Sequence, residues 1–149
     1  MICKEEFMGL TGNTNEERIW NYLIGKGMSS AGAAGLMGNL YAESALNPKN
    51  LQNTSEKKLG YTDDSYTAAV DNGSYSNFVR DSAGYGLAQW TYWSRKQNML
   101  EFARAAGKSV GDLEMQLDFL FKELSEGYKT VLATLKAAAT VKAASDSVL

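Results

Sequence analysis

One glutamate stands out because of the residues around it. Glu43 lies in the segment 38–48 (GNLYAESALNP), near the end of a stretch whose apolar residues recur at helical spacing. Met37, Leu40 and Leu46 are its apolar neighbours, so we expect its carboxyl group to be partly desolvated. Burial and the negative end of a helix dipole both disfavour the charged form of a carboxyl group. A protonated carboxyl group can donate to a glycosidic oxygen, whereas the alternative is a solvated glutamate at a helix end.

A second segment, 81–91 (DSAGYGLAQWT), brings together glycines, an amide and aromatic rings. Gly84 and Gly86 allow unusual backbone angles and a close approach of a ligand or of another chain segment. Gln89 has two interpretations: it binds a sugar acetamido group, or it orients Glu43. The aromatic rings that follow either stack on sugar rings or pack in the core, and they are Trp90, Tyr92 and Trp93.

Several kinds of site are excluded by composition. The chain has no histidine, and its single cysteine is Cys3, so a Ser–His–Asp triad, a Cys–His pair and a histidine-ligated zinc site are all impossible. Hydrolysis would therefore depend on carboxylates, Lys, Tyr, Ser or Thr, and no cofactor or metal is implied. The net charge of −2 gives no reason to expect nucleic acid as a partner.

The elements that would hold these residues are mostly helical. Thr14 with Glu17 predicts a helix cap, and Ser29 or Ser30 predicts the start of a second helix that ends before Pro48. Three glycines inside this second helix suggest that another backbone packs tightly on it; they are Gly32, Gly35 and Gly38. Further helices are predicted over 62–70, 94–106, from Asp112 onward, over 128–139 and after Thr140.

The stretch 50–85 reads as a polar and irregular insert between helical halves. A short helix within it is predicted at 62–70, followed by a turn at Asn72–Gly73. Tyr75, Phe78 and Val79 suggest a small extended or hairpin element. The fold class is therefore mostly α with a small irregular or β-hairpin insert.

The two segments together resemble a known superfamily. A Glu-Ser-x-x-Asn-Pro helix end followed by Gly-x-Gly-Leu-x-Gln resembles goose-type lysozymes and soluble lytic transglycosylases. The finer pattern resembles the phage tail lysozyme family, in which a Gln-Leu-x-Phe-Leu-x-x-Glu-Leu helix follows; here that helix begins at Gln116. The resemblance covers about 15–124. It implies one lysozyme-like domain over 1–149, with two lobes around a glycan cleft and a helical C-terminal extension at 125–149.

The resemblance also implies an activity and its residues. The expected reaction is cleavage of the β-1,4 bond between N-acetylmuramic acid and N-acetylglucosamine in peptidoglycan, with Glu43 as the general acid. The residues implied in substrate binding are Gly84, Tyr85, Gly86, Leu87, Gln89, Trp90, Thr91, Tyr92 and Trp93.

The second carboxylate is less well marked. Thr91 stands where goose-type enzymes carry a nearby aspartate, whereas Asp81 lies near the position of a second goose-type carboxylate. The resemblance therefore implies Asp81 as the base that positions water for inverting hydrolysis, with Thr91 assisting. The other candidates, each of them alternatively just solvated, are Asp63, Asp64 and Asp71.

Two other functions remain open from the sequence. A lytic transglycosylase would use the same acid, and the muramyl 6-hydroxyl would close on the anomeric carbon in place of water. A wall-binding or tail-structural module would not be an enzyme at all. In either case the expected partner is the peptidoglycan glycan strand.

The expected location is the bacterial cell wall, reached from a virion or at lysis. Residues 1–10 contain Lys4, Glu5 and Glu6 and lack the apolar run of a signal peptide, and no stretch is long enough to enter a membrane. The alanine-rich end suggests a domain excised from a larger tail or lysin polypeptide, whose further domains would be partners.

Overall fold

The computed structural model describes residues 9–149. Cys3 therefore lies outside the described residues. So do most of residues 1–10, which were predicted not to form a signal peptide. The described part contains eight helices, which are α1 (Asn15–Gly25), α2 (Ser30–Ser44), α3 (Asn53–Leu59), α4 (Asp63–Asn72), α5 (Trp93–Ala105), α6 (Leu113–Gly127), α7 (Lys129–Ala137) and α8 (Val141–Val148). The prediction of a mostly α, lysozyme-like chain is confirmed.

The residues group into two compact units. The first unit contains the described residues before Glu43 together with Leu120–Leu149, and the second unit is Glu43–Phe119. Both sequence segments that could carry chemistry, from Glu43 onward and around Gly84, belong to the second unit.

In the first unit the predicted helix caps and glycine contacts are largely confirmed. The Thr14 side chain accepts a hydrogen bond from the Glu17 amide at 3.1 Å and starts α1. A Cβ added at Gly32 would collide with the Leu135 backbone, and one at Gly35 would lie 2.5 Å from the Ala144 side chain. These two glycines therefore let α7 and α8 pack closely on α2, whereas Gly38 has open space beside it.

The second unit is built around a core of aromatic and aliphatic side chains. Tyr66, from α4, lies with its ring centroid 5.3 Å from that of Tyr85 and 6.1 Å from that of Phe78. The predicted cap of this unit, Asp112, is confirmed, because it accepts from the Met115 amide at 2.9 Å. The Thr62 side chain accepts from the Ser65 amide and caps α4, where a helix but no cap was predicted.

Two local predictions for the insert are wrong. Helix α3 lies where no helix was expected, because it buries none of its residues and so shows no apolar periodicity. The segment around Phe78 is a turn rather than an extended element, and Phe78 is buried there. Extended backbone pairing occurs later in the chain, where Tyr85 forms isolated antiparallel bridges with Leu51 and with Trp90. Apart from these bridges, the described residues contain no β-strand.

Candidate active site

The C-terminal end of α2 is closed by a sharp reversal of the chain. Helix α2 ends at Ser44, and the next two residues, Ala45 and Leu46, have φ angles of 53° and 63°. Non-glycine residues rarely adopt this left-handed conformation, which persists only where the surrounding structure imposes it. The Asn50 side-chain amide donates to the Ser44 carbonyl at 3.1 Å and so satisfies one carbonyl at the helix end.

Ser44 joins this helix end to the second motif. Its side chain is buried, and its hydroxyl donates to the Leu87 carbonyl at 2.8 Å. Glu43 is the preceding residue, so its backbone is held within a few ångströms of the turn 86–89. The two motifs on which the sequence resemblance depends therefore lie side by side within one compact unit.

Glu43 itself is exposed, and the prediction of partial burial is wrong. The reason is the face of the helix on which it lies. Leu40 and Ser44 are spaced four residues apart and carry the buried face, whereas Glu43 is rotated about 100° from Ser44. None of residues 9–149 forms a hydrogen bond or ion pair with its carboxylate, so both oxygens are open to solvent.

The Gly-x-Gly segment forms a short hairpin-like turn. The Tyr85 amide donates to the Trp90 carbonyl at 3.1 Å, and the Trp90 amide donates back at 3.0 Å. Gly86 has a φ of 84°, and a Cβ there would lie 2.9 Å from the side-chain amide of Gln116. Gly86 is therefore required both by its backbone conformation and by the space that Gln116 fills.

Gln116 is a site residue to which the sequence reasoning gave no role. Its side chain is fully buried, and its oxygen accepts from the Leu87 amide at 2.9 Å. Its nitrogen donates to the carbonyls of Pro48 and Val110, each at 2.7 Å. One amide thus connects the turn 86–89, the segment after Glu43 and the loop before α6. Its place in the Gln-Leu-x-Phe-Leu pattern was the available signal.

The structure separates the two interpretations of Gln89. The Gln89 nitrogen donates to the carbonyls of Asn50 and Gly86 at 2.9 and 3.0 Å, so neither hydrogen remains for Glu43. The Gln89 oxygen instead lies beside the buried Gly84, where an added Cβ would lie 2.8 Å from it, 3.3 Å from the Thr91 hydroxyl oxygen and 3.4 Å from the Gln52 side-chain oxygen. This small polar cradle can accept a hydrogen bond from an N–H or O–H group.

Asp81 is sealed into a buried network. Its side chain is 1% exposed, and its two oxygens accept from Lys96 at 2.7 Å, the Ala83 amide at 3.0 Å, and the hydroxyls of Tyr66 at 2.6 Å and Tyr75 at 2.8 Å. Each carboxylate oxygen already accepts two hydrogen bonds and almost none of the side chain is exposed. In this arrangement the carboxylate therefore has no free position at which to orient a water. This arrangement gives no support to Asp81 as the water-positioning base, and that role stays a prediction for the variants discussed below.

Burial shifts the pKa values of the groups that donate hydrogen bonds to Asp81. Burial lowers the pKa of the Lys96 ammonium, while the hydrogen bond and the charge of Asp81 oppose that shift. Burial, followed by the hydrogen bond to Asp81, raises the pKa of the Tyr66 and Tyr75 phenols, which therefore remain donors. Lys96 also donates to the Ala83 carbonyl at 2.7 Å, so the network fixes the backbone just before Gly84.

The other candidate aspartates have distinct surroundings. Asp63 accepts from the Leu51 amide at 2.9 Å, and a hydrogen bond with Asp63 raises the pKa of the nearby Glu56 carboxyl. Asp71 accepts from the Val110 amide at 2.9 Å, in the loop before α6. Asp64 lies at the surface with a side chain that is 88% exposed, and its carboxylate forms a long ion pair with the Lys49 ammonium at 3.9 Å.

The aromatic residues divide into a buried and an exposed group. Trp90 is fully buried against Phe119, with 5.7 Å between ring centroids, and Tyr85 and Leu87 are also fully buried, so none of these side chains can stack on a sugar. Tyr92 and Trp93 are 63% and 41% exposed. Of the residues predicted to bind substrate, those with side chains at or near the surface are Gln89, Thr91, Tyr92 and Trp93.

The comparison with known families agrees with this geometry. A model of the phage tail lysozyme family matches residues 14–149. The chain belongs to that family. As a phage tail lysozyme it is a lysozyme-like glycosidase of the bacterial cell wall, with peptidoglycan as its substrate. The match extends past residue 124 and takes in α7 and α8, beyond the part of the chain on which the sequence resemblance depended.

Two further observations concern the phage tail lysozyme as a whole. None of the eight described helices has the length and apolar character needed to cross a bilayer. Residues 9–149 also contain no group of three or more acidic or thiol side chains suited to a metal ion.

Proposed function

We propose that this phage tail lysozyme is an N-acetylmuramidase that cleaves the β-1,4 bond between N-acetylmuramic acid and N-acetylglucosamine, with Glu43 as the general acid. The observation that carries the proposal is the 2.8 Å hydrogen bond from Ser44 to Leu87. It holds the backbone of Glu43, whose exposed carboxyl group has no partner among residues 9–149, beside the turn 86–89, which carries Gln89 and is followed by the exposed Thr91.

Because Glu43 is exposed, the substrate must supply the desolvation that the free protein does not. A glycan strand seated over the turn 86–89 would cover the carboxyl group on one side. Loss of water around it then disfavours the charged form and favours proton donation to the leaving oxygen. The exposed position also leaves the carboxyl free of competing hydrogen bonds until the sugar arrives.

We further propose that Gln89 and Thr91 contact the substrate through the Gly84 cradle. The Thr91 hydroxyl donates to the Gln89 carbonyl at 2.9 Å, which leaves its lone pairs free. These oxygens can accept a hydrogen bond from an acetamido N–H group, or they can orient the attacking water for inversion. With Asp81 sealed, this hydrolysis proceeds without a carboxylate base at that position.

The test is the product formed from purified peptidoglycan. Hydrolysis gives a reducing N-acetylmuramic acid end, which mass spectrometry detects, and inversion gives the α anomer first, which NMR detects. Glu43→Gln should form neither product and should still bind the glycan. Undiminished lysis by that variant would overturn the acid role, whereas binding without any lysis by the wild type would indicate a wall-binding module.

One observation favours a second candidate, a lytic transglycosylase. This reaction needs the acid but no water-positioning base, and the carboxylate expected to serve as that base is fully paired. The muramyl 6-hydroxyl would then attack the anomeric carbon and leave a 1,6-anhydro end. That product is one water lighter than the hydrolysis product, so the same mass spectrum distinguishes the two reactions.

A further inference from the structure

Next to the proposed active site the second unit carries an exposed aromatic surface with a cation on it. Trp93 is the first residue of α5, and Tyr92 precedes it, with 6.1 Å between their ring centroids. The Arg80 guanidinium lies over the Trp93 ring, 4.8 Å from its centroid. We call Arg80, Tyr92 and Trp93 the arginine–aromatic platform.

The platform is held in shape by the buried network beside it. Arg80 directly precedes Asp81, and Trp93 lies one turn before Lys96 in α5, so the 2.7 Å ion pair between Asp81 and Lys96 ties the two sides together. This rigidity matters because an exposed arginine otherwise loses rotamer freedom when it binds a ligand. The ion pair thus holds together the two backbone segments from which Arg80 and Trp93 extend.

The guanidinium has no acidic partner within the part of the chain that the structure describes. Arg80 is exposed and forms no ion pair with any of residues 9–149, although acidic residues outnumber basic ones in the chain by 17 to 15. The first turn of α5 carries no acidic side chain, and Asp81 is fully engaged by other donors. Five N–H donors on a planar group that is stacked but unpaired suit a carboxylate.

We propose that the arginine–aromatic platform is a subsite for a muramyl unit of peptidoglycan, with the sugar packing on Tyr92 and Trp93 and a carboxylate binding Arg80. This inference rests on the proposed function, because it takes peptidoglycan as the ligand. It lies next to the cradle, since Thr91 is two residues from Trp93 and two residues span at most about 7 Å. Neutral N-acetylglucosamine has no carboxylate. Arg80 would therefore favour glycans that contain muramyl units over chitin, and would not raise the affinity for all glycans alike.

The carboxylate has two chemical sources in the wall. In intact peptidoglycan it comes from the stem peptide, because the lactyl group of the muramyl unit is bound to that peptide as an amide. In glycan stripped of its stems by an amidase, the lactyl carboxylate itself is free. Chitin supplies the same acetamido sugars and neither carboxylate.

The experiment measures binding of the full chain carrying Glu43→Gln, so that turnover does not interfere, to intact sacculi, amidase-stripped sacculi and chitin. Adding Arg80→Gln should weaken binding to the carboxylate-bearing glycan by about three- to fivefold, the range of an exposed charge pair, and should leave chitin binding unchanged. Loss on intact sacculi alone assigns the stem carboxylate, and loss on stripped sacculi alone assigns the lactyl carboxylate.

Two further variants make the result specific. Arg104→Gln removes the same charge from an exposed residue at the other end of α5, and it should leave all three affinities unchanged. Trp93→Ala should weaken binding to all three glycans, because stacking does not depend on charge. The proposal fails if Arg80→Gln behaves like Arg104→Gln, or if it weakens chitin binding equally. The acid role is judged separately, from lysis by Glu43→Gln alone; if that variant still cleaves, the same binding comparison is made at 4 °C before turnover begins.

Discussion

Two carboxylates flank the Gly-x-Gly turn, and they differ in almost every physical respect. Glu43 lies on an exposed face near the end of α2, and its carboxylate forms no hydrogen bond or ion pair with the described residues. Asp81 is 1% exposed and accepts four hydrogen bonds, one of them from a buried ammonium. Sequence alone makes both look catalytic, Glu43 as the acid and Asp81 as the base that positions water, because each lies in or beside a family motif.

The comparison shows what a carboxylate needs for each task. A group that exchanges a proton with substrate must keep an oxygen available, and an exposed, unpaired side chain does so. A group that holds a loop in place uses every acceptor it has, and burial makes those bonds costly to break. Glu43 is therefore the candidate for chemistry, and Asp81 the residue that fixes the backbone and the arginine–aromatic platform around it.

The largest expected effect is on the Glu43 side of this comparison. Glu43→Gln removes the proton donor and keeps the shape, so activity on peptidoglycan should fall by about 10²–10⁴-fold, the usual contribution of general acid catalysis. Release of reducing or anhydro ends measures it. Thermal unfolding should be unchanged, because the side chain is exposed and forms no hydrogen bond or ion pair with residues 9–149. A variant that loses activity only because it unfolds would contradict this assignment.

On the Asp81 side we expect the reverse, a loss of stability. Asp81→Ala leaves the Lys96 ammonium buried without its partner, and breaking a buried pair in this way costs about 3–5 kcal/mol. Urea denaturation measures the free energy of unfolding. Asp81→Asn combined with Lys96→Met should recover much of the loss, since no unpaired charge remains. If Asp81→Ala stays as stable as the wild type and is nevertheless inactive, Asp81 is a catalytic base after all.

These two outcomes also explain what the sequence could predict. Helix caps at Thr14 and Asp112 were found because a cap depends on residues three positions apart. The burial of Asp81 was not predicted, because its donors Tyr66 and Lys96 come from two helices, each 15 residues away along the chain. Local spacing carries no information about such a meeting.

The exposure of Glu43 was missed for a related reason. Helical periodicity identified Leu40 and Leu46 as its apolar neighbours, but Leu46 adopts a left-handed conformation beyond the helix end. It therefore does not continue the helical face on which the inference relied. The family resemblance identified the right segment, and only the backbone reversal decides which side chain faces the solvent.

A smaller effect tests the link between the two motifs. Ser44→Ala removes the donor to the Leu87 carbonyl in a buried place, which should cost about 1–3 kcal/mol of unfolding free energy. Activity at a temperature where the variant is fully folded should also fall, because Glu43 is no longer held beside the turn 86–89. Ser125→Ala is the control, since the Ser125 hydroxyl bonds only a carbonyl within its own helix. Equal activity in both variants would show that the Ser44 bond is not needed for positioning.

The smallest effect concerns pH and the tyrosines that surround the network. Burial raises the pKa of Tyr66 and Tyr85, so the folded protein keeps phenol protons that the unfolded chain releases near pH 10. Stability from these groups is therefore complete well below pH 10 and is lost as the pH rises above it. At pH 10, where half of the unfolded phenols have ionised, the loss is about 0.4 kcal/mol for each tyrosine.

Denaturation of the wild type and of Tyr66→Phe between pH 8 and 10.5 measures this contribution. The variant is less stable at pH 8 because Asp81 loses a donor, but its stability should decline less steeply toward high pH, since one of the two tyrosines no longer titrates. Tyr128→Phe alters an exposed tyrosine and should follow the wild-type slope. Groups remote from the network titrate alike in all three proteins, and because Lys96 donates to the Tyr66 hydroxyl at 3.3 Å, the difference in slope reports on Tyr66 together with Lys96. Parallel curves for the wild type and Tyr66→Phe would mean that the network around Asp81 is open to water.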